Sequence, residues 1–416
     1  MKIKILTMGT LGDVQPFVAL GKALKRQNYN VTICTGENFR TFVEDNGVAF
    51  FPVRIDYLEL TQSEEGKKMM RGNPVEIIRN MKTLIMPMMK RMLEDLWEGS
   101  KDADVLIYNP KAFGGYDIAE KLGIPVFMAH PIPIIAPTHI FTNPALPVSF
   151  NNGILNKMSF KLNRLLMVSF LKIINKWRKE TLGLSNKRSI FTNDLVLNGK
   201  PIPILYGCSP TVIPYDENWK GNVSMAGFWF LEERKEWESS VELLRFLEDG
   251  APPIAISFSS MPLKYPDRVK EMLTEALRKT GQRGIFISGW SGMHIEDVNS
   301  HILTIEFVPH AWLFPKTAGV IHHGGAGTTA AALKAGRPMI ICPFSADQPF
   351  WAKYMLDIGV ATAPLRERDM SIKAFSGRIE TLKNEKKLRE NAVNIGAKIN
   401  LENGTEDTIK FIEENL

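Results

Sequence analysis

The chain has 416 residues, of which 44% are hydrophobic and 23% charged, and this balance is typical of a soluble globular protein with more than one domain. Its formal net charge of +6 at pH 7 favours anionic ligands such as nucleotide phosphates, but no basic tract interleaved with aromatic residues indicates a nucleic-acid binder. The sequence contains neither a signal peptide nor a run of about 18 apolar residues that would span a bilayer, so we expect a cytoplasmic protein.

The first half of the chain alternates short apolar runs with helical patterns, which is typical of a parallel α/β sheet. A helix is predicted to begin near Pro16. A methionine-rich amphipathic stretch covers residues 81–97, and a proline-rich loop covers 131–147. Residues 1–215 are therefore predicted to form one Rossmann-like domain. Its strands are predicted at residues 3–8, 30–35, 105–108 and 126–129.

A polar and charged stretch over 216–238 is predicted to be a linker, because strand and helix patterns restart after it. Residues 239–395 are then a second Rossmann-like domain, and 396–416 are a helical segment that packs back toward the first domain. Ligands of open α/β sheets bind at the carboxyl ends of the strands. The sequence therefore predicts an α/β fold with two Rossmann-like domains facing a central cleft. The later strands are predicted at residues 254–258, 285–288, 303–307, 320–322 and 339–342.

The segment from Ile321 to Thr329 (IHHGGAGTT) follows a predicted strand and opens an alanine-rich helix. Its three glycines allow a ligand to approach the backbone closely. The amides and dipole of the helix N-terminus favour an anion such as a diphosphate, and His323 can donate to a phosphate oxygen. The spacing matches neither GxGxxG nor a P-loop. We therefore predict a diphosphate site, with a purely structural strand–helix turn as the alternative.

Two carboxylates, Asp347 and Asp13, each follow a predicted strand. Asp347 and the neighbouring amide of Gln348, in the segment PFSADQP, are suited to bidentate hydrogen bonding of sugar hydroxyls, with a helix cap as the alternative. In the first half, Asp13 ends the turn GTLGD. It is predicted to accept a proton from an acceptor hydroxyl late in the reaction, when that oxygen has become acidic, with helix capping again as the alternative.

Over nearly its whole length the chain resembles the family 1 glycosyltransferases, and among them the bacterial and fungal enzymes related to sterol glucosyltransferases. The resemblance implies the glycosyltransferase B fold, an inverting transfer from a nucleoside-diphosphate sugar, and no bound metal. The chain departs from the pattern at Leu11, where relatives often carry Arg, and at Ser259, where Gly is usual. The most specific segments are GTLGDVQPFVALGKAL (from Gly9), GFWFL (from Gly227), FVPHAWLF (from Phe307) and HHGGAGTTAAALKAGRPMIICPFSADQPFWA (from His322).

The resemblance also assigns roles to individual residues. It implies that Asp13 is the catalytic base. It also implies that the donor is UDP-glucose or another UDP-hexose, with a dTDP-sugar as the alternative. No cofactor is expected to be bound besides this co-substrate. The predicted diphosphate ligands are Ser260, His323, Gly325, Ala326, Gly327 and Thr328. The predicted sugar ligands are Asp347 and Gln348, and the predicted nucleobase contacts are Trp290, Phe307, Val308 and His310.

The acceptor is expected to be hydrophobic and hydroxylated, as a sterol, flavonoid, polyketide or lipid is. A basic amphipathic pattern over 156–180 indicates either a helix that contacts the inner surface of the membrane peripherally or an ordinary surface helix pair. We expect a monomer or weak dimer. The alternatives to a transferase are a nucleotide-sugar epimerase of the same fold and a catalytically inactive binding subunit. The predicted acceptor pocket contains Met86, Met89, Phe113, His130 and Phe141.

Overall fold

The computed structural model describes residues 1–55, 81–146, 148–162, 167–232, 237–258, 266–288 and 301–416. The chain divides into two compact units. The first unit contains Met1–Asn143, Phe150–Leu231 and Asn403–Leu416, and the second contains Pro144–Ser149 and Glu232–Glu402. Three residues singled out above, Ser259, Ser260 and Trp290, lie outside the described residues.

The first unit is built on a parallel sheet. Its strands are β1 (Lys2–Leu6), β2 (Asn30–Gly36), β3 (Ala49–Val53), β4 (Val105–Tyr108), β5 (Val126–His130), β8 (Ile204–Tyr206) and β9 (Val223–Met225), and a two-stranded ribbon joins β6 (Val196–Leu197) to β7 (Lys200–Pro201). Within the described residues the sheet order is β3-β2-β1-β4-β5-β8-β9. Ile3 of β1 lies opposite Val31 on one side and Val105 on the other. Strands β4 and β8 are buried at every residue, which explains their continuous apolar sequences.

Helices cover the sheet of the first unit. They are α1 (Leu11–Arg26), α2 (Arg40–Asp45), α3 (Met86–Ser100), α4 (Gly115–Leu122), α5 (Gly153–Ser159) and α6 (Leu171–Trp177), with π-helical turns at Met81–Ile85 and Arg178–Leu182. The predicted start of α1 near Pro16 was wrong, because the helix begins at Leu11 and contains Pro16. Thr10 and Asp13 cap the helix one turn before the proline, so Pro16 is accommodated inside the helix rather than at its start.

The second unit repeats this construction with a smaller sheet. Its described strands are β10 (Ile254–Ser257), β11 (Gly284–Ile287), β12 (Ile302–Ile305), β13 (Gly319–His322) and β14 (Met339–Ile341), all parallel in the order β12-β11-β10-β13-β14. Its described helices are α7 (Val241–Glu248), α8 (Pro266–Thr280), α9 (His310–Leu313), α10 (Ala326–Lys334), α11 (Gln348–Asp357), α12 (Ile372–Asn384) and α13 (Lys386–Ile399). Because β10 and β14 flank β13, the loops that follow β13 and β14 leave the same edge of the sheet.

The stretch predicted as a linker over 216–238 belongs in part to the first unit. Its residues 223–225 form β9, which pairs with β8, and this pairing was not visible in a segment rich in charged residues. The last helix, α14 (Gly404–Glu414), also belongs to the first unit. The Trp229 indole donates a hydrogen bond of 3.0 Å to Thr408 Oγ1 of this helix, and the Trp229 ring packs edge-on against Phe17 at 5.6 Å.

Among the helices that the structure describes, none combines the length and the apolar character needed to cross a membrane.

Candidate active site

In the first unit, three polar groups follow three neighbouring strands. Asp13 lies in the first turn of α1, just after β1, Lys111 follows β4, and His130 is the last residue of β5. Since β1, β4 and β5 are adjacent and parallel, their carboxyl ends meet at one edge of the sheet. Sequence reasoning identified Asp13 and His130 but missed Lys111.

Both carboxylate oxygens of Asp13 have partners. The Thr10 amide donates to Oδ2 at 3.0 Å, and the Lys111 ammonium donates to Oδ1 at 2.5 Å. The Asp13 side chain is 12% exposed, whereas Lys111 is half exposed. Gly9 lies directly against the carboxylate, with φ at +137°, and a Cβ at this position would overlap Asp13. Asp13 is therefore both the helix cap and the predicted base, and its position depends on a glycine.

The charge of Asp13 is set by opposing effects. Burial alone would raise its pKa, but the charge and hydrogen bond of Lys111, with smaller contributions from His130 and the Thr10 amide, lower the pKa below its ordinary value. Asp13 is consequently ionised at neutral pH. A general base must be unprotonated before it accepts a proton. The ion pair with Lys111 keeps the Asp13 carboxylate unprotonated although it is buried.

His130 is a neutral imidazole beside this pair. Burial and the nearby Lys111 lower its pKa to about 4. Its Nδ1 lies 3.0 Å from the backbone of Ile132, and its buried Nε2 has no hydrogen-bond partner among the described residues. Since an unpartnered buried polar atom is unfavourable, the Nε2 atom is suited to a hydrogen bond with a bound molecule.

In the second unit, the glycine-rich segment connects β13 to α10. The Gly324 amide donates to His322 Nδ1 at 3.1 Å, and Gly324 adopts φ of +93°, where a Cβ would lie 2.8 Å from Ile341. Gly325 is the N-cap of α10. The first amides of α10, those of Ala326, Gly327 and Thr328, have no carbonyl partner inside the helix and present its positive end. This geometry suits an anion.

His322 and His323 precede that helix start, and His310 lies close enough to His323 to be affected by its charge. The His323 ring lies against Gly325, so that a Cβ on Gly325 would overlap its Nε2 atom. Burial lowers the pKa of His323 to about 4, and burial together with the proximity of His323 lowers the pKa of His310 to about 4 as well. At neutral pH these side chains are uncharged, so His323 would act on a phosphate as a hydrogen-bond donor rather than as a cation.

Asp347 ends the turn after β14, and Gln348 is the first residue of α11. Gln348 Oε1 accepts hydrogen bonds from the amides of Phe344 and Ser345 at 2.8 and 3.1 Å, and Asp347 Oδ2 accepts one from the Trp351 indole at 2.9 Å. Ala346, which directly precedes Asp347, adopts a left-handed φ of +54°. A non-glycine residue in this region is strained, and such strain is concentrated at functional sites. The two side chains thus hold a constrained turn in addition to any role toward a sugar.

The predicted nucleobase contacts differ in exposure. Phe307 is largely exposed, Val308 is buried, and His310 stacks on Phe314 with ring centroids 4.5 Å apart.

Among the residues that the structure describes, no three His, Cys, Asp or Glu side chains are arranged to hold a metal ion.

Comparisons with known proteins identify the family of this chain. The sequence model of the glycosyltransferase family 28 N-terminal domain matches residues 3–140, and that of the erythromycin biosynthesis protein CIII-like C-terminal domain matches residues 285–410. Over its whole length the chain is 34% identical to a sterol 3-beta-glucosyltransferase of Arabidopsis thaliana and 33% identical to one of Komagataella phaffii. The chain belongs to the family 1 glycosyltransferases, and it is similar to those of the sterol glucosyltransferase type. It spans 66% of the length of the first of these relatives and 34% of the second.

Solved structures confirm the expected glycosyltransferase B fold. This glycosyltransferase chain superimposes on the glycotransferase of kitacinnamycin with a TM-score of 0.73, at 16% identity, over 100% of this chain and 99% of that one. The calicheamicin glycosyltransferase CalG4 gives a TM-score of 0.69 at 14% identity, over 100% and 98% of the two chains. At these identities the likeness concerns the fold alone.

The residues predicted for the acceptor pocket of the glycosyltransferase differ in their surroundings. Met89 is buried in the core, Met86 is partly buried, and Phe113 packs on Phe170 with centroids 5.2 Å apart. Phe141 is buried against Phe160 and Trp219 in an aromatic cluster of its own. Of the five residues, His130 is the one whose charge affects Asp13. The pocket as a whole stays a prediction.

Proposed function

We propose that this chain transfers a hexose, most simply glucose, from UDP to a hydroxyl group of a hydrophobic acceptor of the sterol class, with inversion at the anomeric carbon. The observation that carries the proposal is Asp13, a nearly buried carboxylate kept ionised by Lys111 at the strand ends of the first unit. The names of the relatives support the sterol class and glucose, since they are sterol 3-beta-glucosyltransferases matched over the full length of this chain.

The proposed step is one displacement. The acceptor oxygen attacks the anomeric carbon and forms the new glycosidic bond, while the bond from that carbon to the β-phosphate oxygen breaks and its electron pair leaves with UDP. The acceptor proton passes to a carboxylate oxygen of Asp13. A carboxylate is a weak base toward a free alcohol, but it suffices here because the attacking oxygen becomes acidic as the new bond forms.

The leaving diphosphate gains negative charge in this step. The amides of Ala326, Gly327 and Thr328 and the dipole of α10 are proposed to stabilise that charge. His323 would donate a hydrogen bond to a phosphate oxygen without carrying a charge itself. Because these groups are held in place before the reaction by the fold of the second unit, they need not reorganise as the charge develops.

Asp347 and Gln348 are proposed to bind hydroxyl groups of the sugar, and Phe307, Val308 and His310 the nucleobase. The exposed ring of Phe307 offers a stacking surface, and Val308 offers backbone groups from a buried position. Trp290 and Ser260 stay predictions from the resemblance. UDP is preferred to dTDP because the relatives named above are sterol 3-beta-glucosyltransferases.

The test is UDP release from UDP-glucose, with and without a panel of sterols and phenols, in the presence of EDTA. We expect turnover that requires an acceptor, a product mass increased by one hexose, and slower turnover with dTDP-glucose. Asp13→Asn should lower kcat about 100- to 10,000-fold, the usual contribution of a general base. Asp102→Asn is the matched control, because Asp102 is an exposed carboxylate that pairs with Lys2 and Lys4.

Near wild-type turnover by Asp13→Asn would refute the assignment of the base. Isomerisation of a UDP-sugar without an acceptor would support the epimerase instead. Binding of UDP-glucose with no turnover for any acceptor would support an inactive binding subunit.

A further inference from the structure

Helix α5, from Gly153 to Ser159, has its polar and apolar faces reversed. Asn156 and Ser159 point inward and are buried, whereas Ile154 is 67% exposed and Met158 is 53% exposed. Leu155 is exposed as well. A surface helix of a globular protein ordinarily buries its apolar stripe and exposes its polar side chains. The outward apolar face of α5 therefore needs an explanation other than packing.

The orientation of α5 is fixed by hydrogen bonds of the buried polar face. The Asn156 amide donates to His139 O at 3.0 Å, and its oxygen accepts from Thr142 Oγ1 at 2.7 Å. Ser159 Oγ accepts a hydrogen bond of 2.8 Å from the backbone amide of Asn143. These partners are specific and buried, so turning the helix over would leave several polar atoms unsatisfied. Loose packing of the helix therefore does not explain why its apolar side chains are exposed.

The exposed apolar side chains occupy one continuous arc. At about 100° per residue, Ile154, Leu155 and Met158 fall within roughly a quarter to a third of the helix circumference. Leu162, just beyond the helix, is another exposed apolar side chain. Further along the chain Val168, Ile190 and Phe191 are exposed too, and Ile190 lines a small cavity together with Met167 and Leu171.

Basic residues border this arc, and acidic residues are absent from the sequence around it. Lys157 is exposed and lies beside the arc on its helical projection, and Lys161 is exposed two residues beyond the end of the helix. The sequence contains no Asp or Glu between Glu120 and Glu180. The segment 157–179 carries seven Lys or Arg residues, of which Arg178 is buried in ion pairs with Asp117 and Glu120. The apolar face is thus set in a positively charged surrounding.

We infer that the apolar face of α5 and its flanking lysines form a surface that binds an anionic lipid membrane. Apolar side chains on one side of a helix and lysines at its border match the boundary between acyl chains and anionic headgroups. A second copy of this chain fits less well, because a two-fold contact would bring Lys157 and Lys161 of one copy against the same lysines of the other. The inference goes beyond the proposed function, and the lipid need not be the acceptor.

The test is flotation of the full chain with vesicles of phosphatidylcholine, with and without phosphatidylglycerol, at low and high salt. We expect stronger binding to the vesicles that contain phosphatidylglycerol, and weaker binding as salt increases. Replacing Ile154 and Met158 by serine should weaken binding about five- to tenfold for each side chain, the effect of losing a partly buried apolar group. Lys157→Gln and Lys161→Gln should each weaken binding about fivefold, on the anionic vesicles only.

The matched control is the double variant Leu401→Ser, Val393→Ser, which removes two exposed apolar side chains from the second unit. Leu401 is 82% exposed, so this control removes at least as much exposed apolar surface as the change at Ile154. Far-ultraviolet circular dichroism should be unchanged in both double variants. Binding that is lost equally in the control and in the α5 variant would overturn the inference.

Two other results would also overturn it. One is a wild-type chain that stays off anionic vesicles at low salt. The other is self-association in sedimentation experiments that the α5 variant abolishes, without any binding to vesicles, which would assign the surface to a second copy. Turnover with a water-soluble phenol separates this inference from the proposed function. We expect that turnover to be unchanged in the α5 variant, whereas a wild-type chain that binds vesicles but never turns over would refute the proposed function alone.

Discussion

Replacing Gly325 by alanine should displace the His323 imidazole without altering any ionisable group. A Cβ at Gly325 would overlap His323 Nε2 and lie 3.2 Å from Cε1 and 3.3 Å from Cδ2 of the ring. The backbone of Gly325, with φ −64° and ψ 143°, suits alanine, so the ring must move rather than the main chain. Gly325→Ala is therefore a test of His323 by geometry alone.

The expected magnitude follows from one lost hydrogen bond. Because burial lowers the pKa of His323 to about 4, the side chain is neutral at pH 7 and, in the proposed site, would donate to the diphosphate as an uncharged group. A hydrogen bond to a charged acceptor contributes about 1.5–3 kcal/mol, so UDP should bind roughly 10- to 150-fold more weakly. Alanine is a poorer N-cap than glycine, and we expect a loss of unfolding free energy of at most about 1 kcal/mol.

The assay is titration calorimetry of UDP with the wild-type chain, Gly325→Ala, His323→Ala and the double variant. If alanine at 325 acts through the ring, the double variant binds UDP no more weakly than His323→Ala does. Gly377→Ala, in α12, is the control, because a Cβ there would meet no atom within 4 Å. The reasoning is refuted if Gly325→Ala retains wild-type affinity while His323→Ala loses it, or if the two losses add.

Lys111→Met should move the acid limb of the pH profile of kcat/KM to higher pH, because burial raises the pKa of Asp13 once the ammonium that lowers it is gone. Turnover at pH values well above that limb should change less. An acid limb that does not move would contradict the role of Lys111. Arg178→Met should lower the unfolding free energy by about 3–5 kcal/mol in urea denaturation, because Asp117 is fully buried and loses one of its two arginine partners. Arg278→Met, which breaks an exposed pair, should cost less than about 1 kcal/mol, and equal losses for the two variants would argue against a buried network.

Contiguous features could be predicted from the sequence. The predicted strand at 105–108 is β4, and the predicted strand at 320–322 lies within β13, because buried parallel strands are continuous apolar runs. The glycine-rich segment after β13 was also recognisable, since its glycines, histidines and helix start are consecutive in the chain. In contrast, β9 has only three residues within a charged segment, and its assignment rests on pairing with β8, which composition does not reveal.

Lys111 shows why part of the candidate site could not be predicted. It lies 98 residues from Asp13 in the chain, and the two side chains meet because β1 and β4 are neighbours in the sheet. The sequence pattern predicts that both strands exist, but their order in the sheet is a tertiary property. A lysine soon after a predicted strand was the available signal, and it becomes informative once β4 is known to lie beside β1.

Helix α5 shows a different limit. The periodicity of an amphipathic segment identifies which side chains share a face, and the usual premise that the apolar face points inward supplies the direction. In α5 that premise fails, because Asn156 and Ser159 make buried hydrogen bonds that the apolar side chains could not replace. The direction of a short helix is thus decided by the polar atoms that its neighbours offer. A reversed helix bordered by lysines is consequently more informative about a binding partner than the same composition arranged in the usual way.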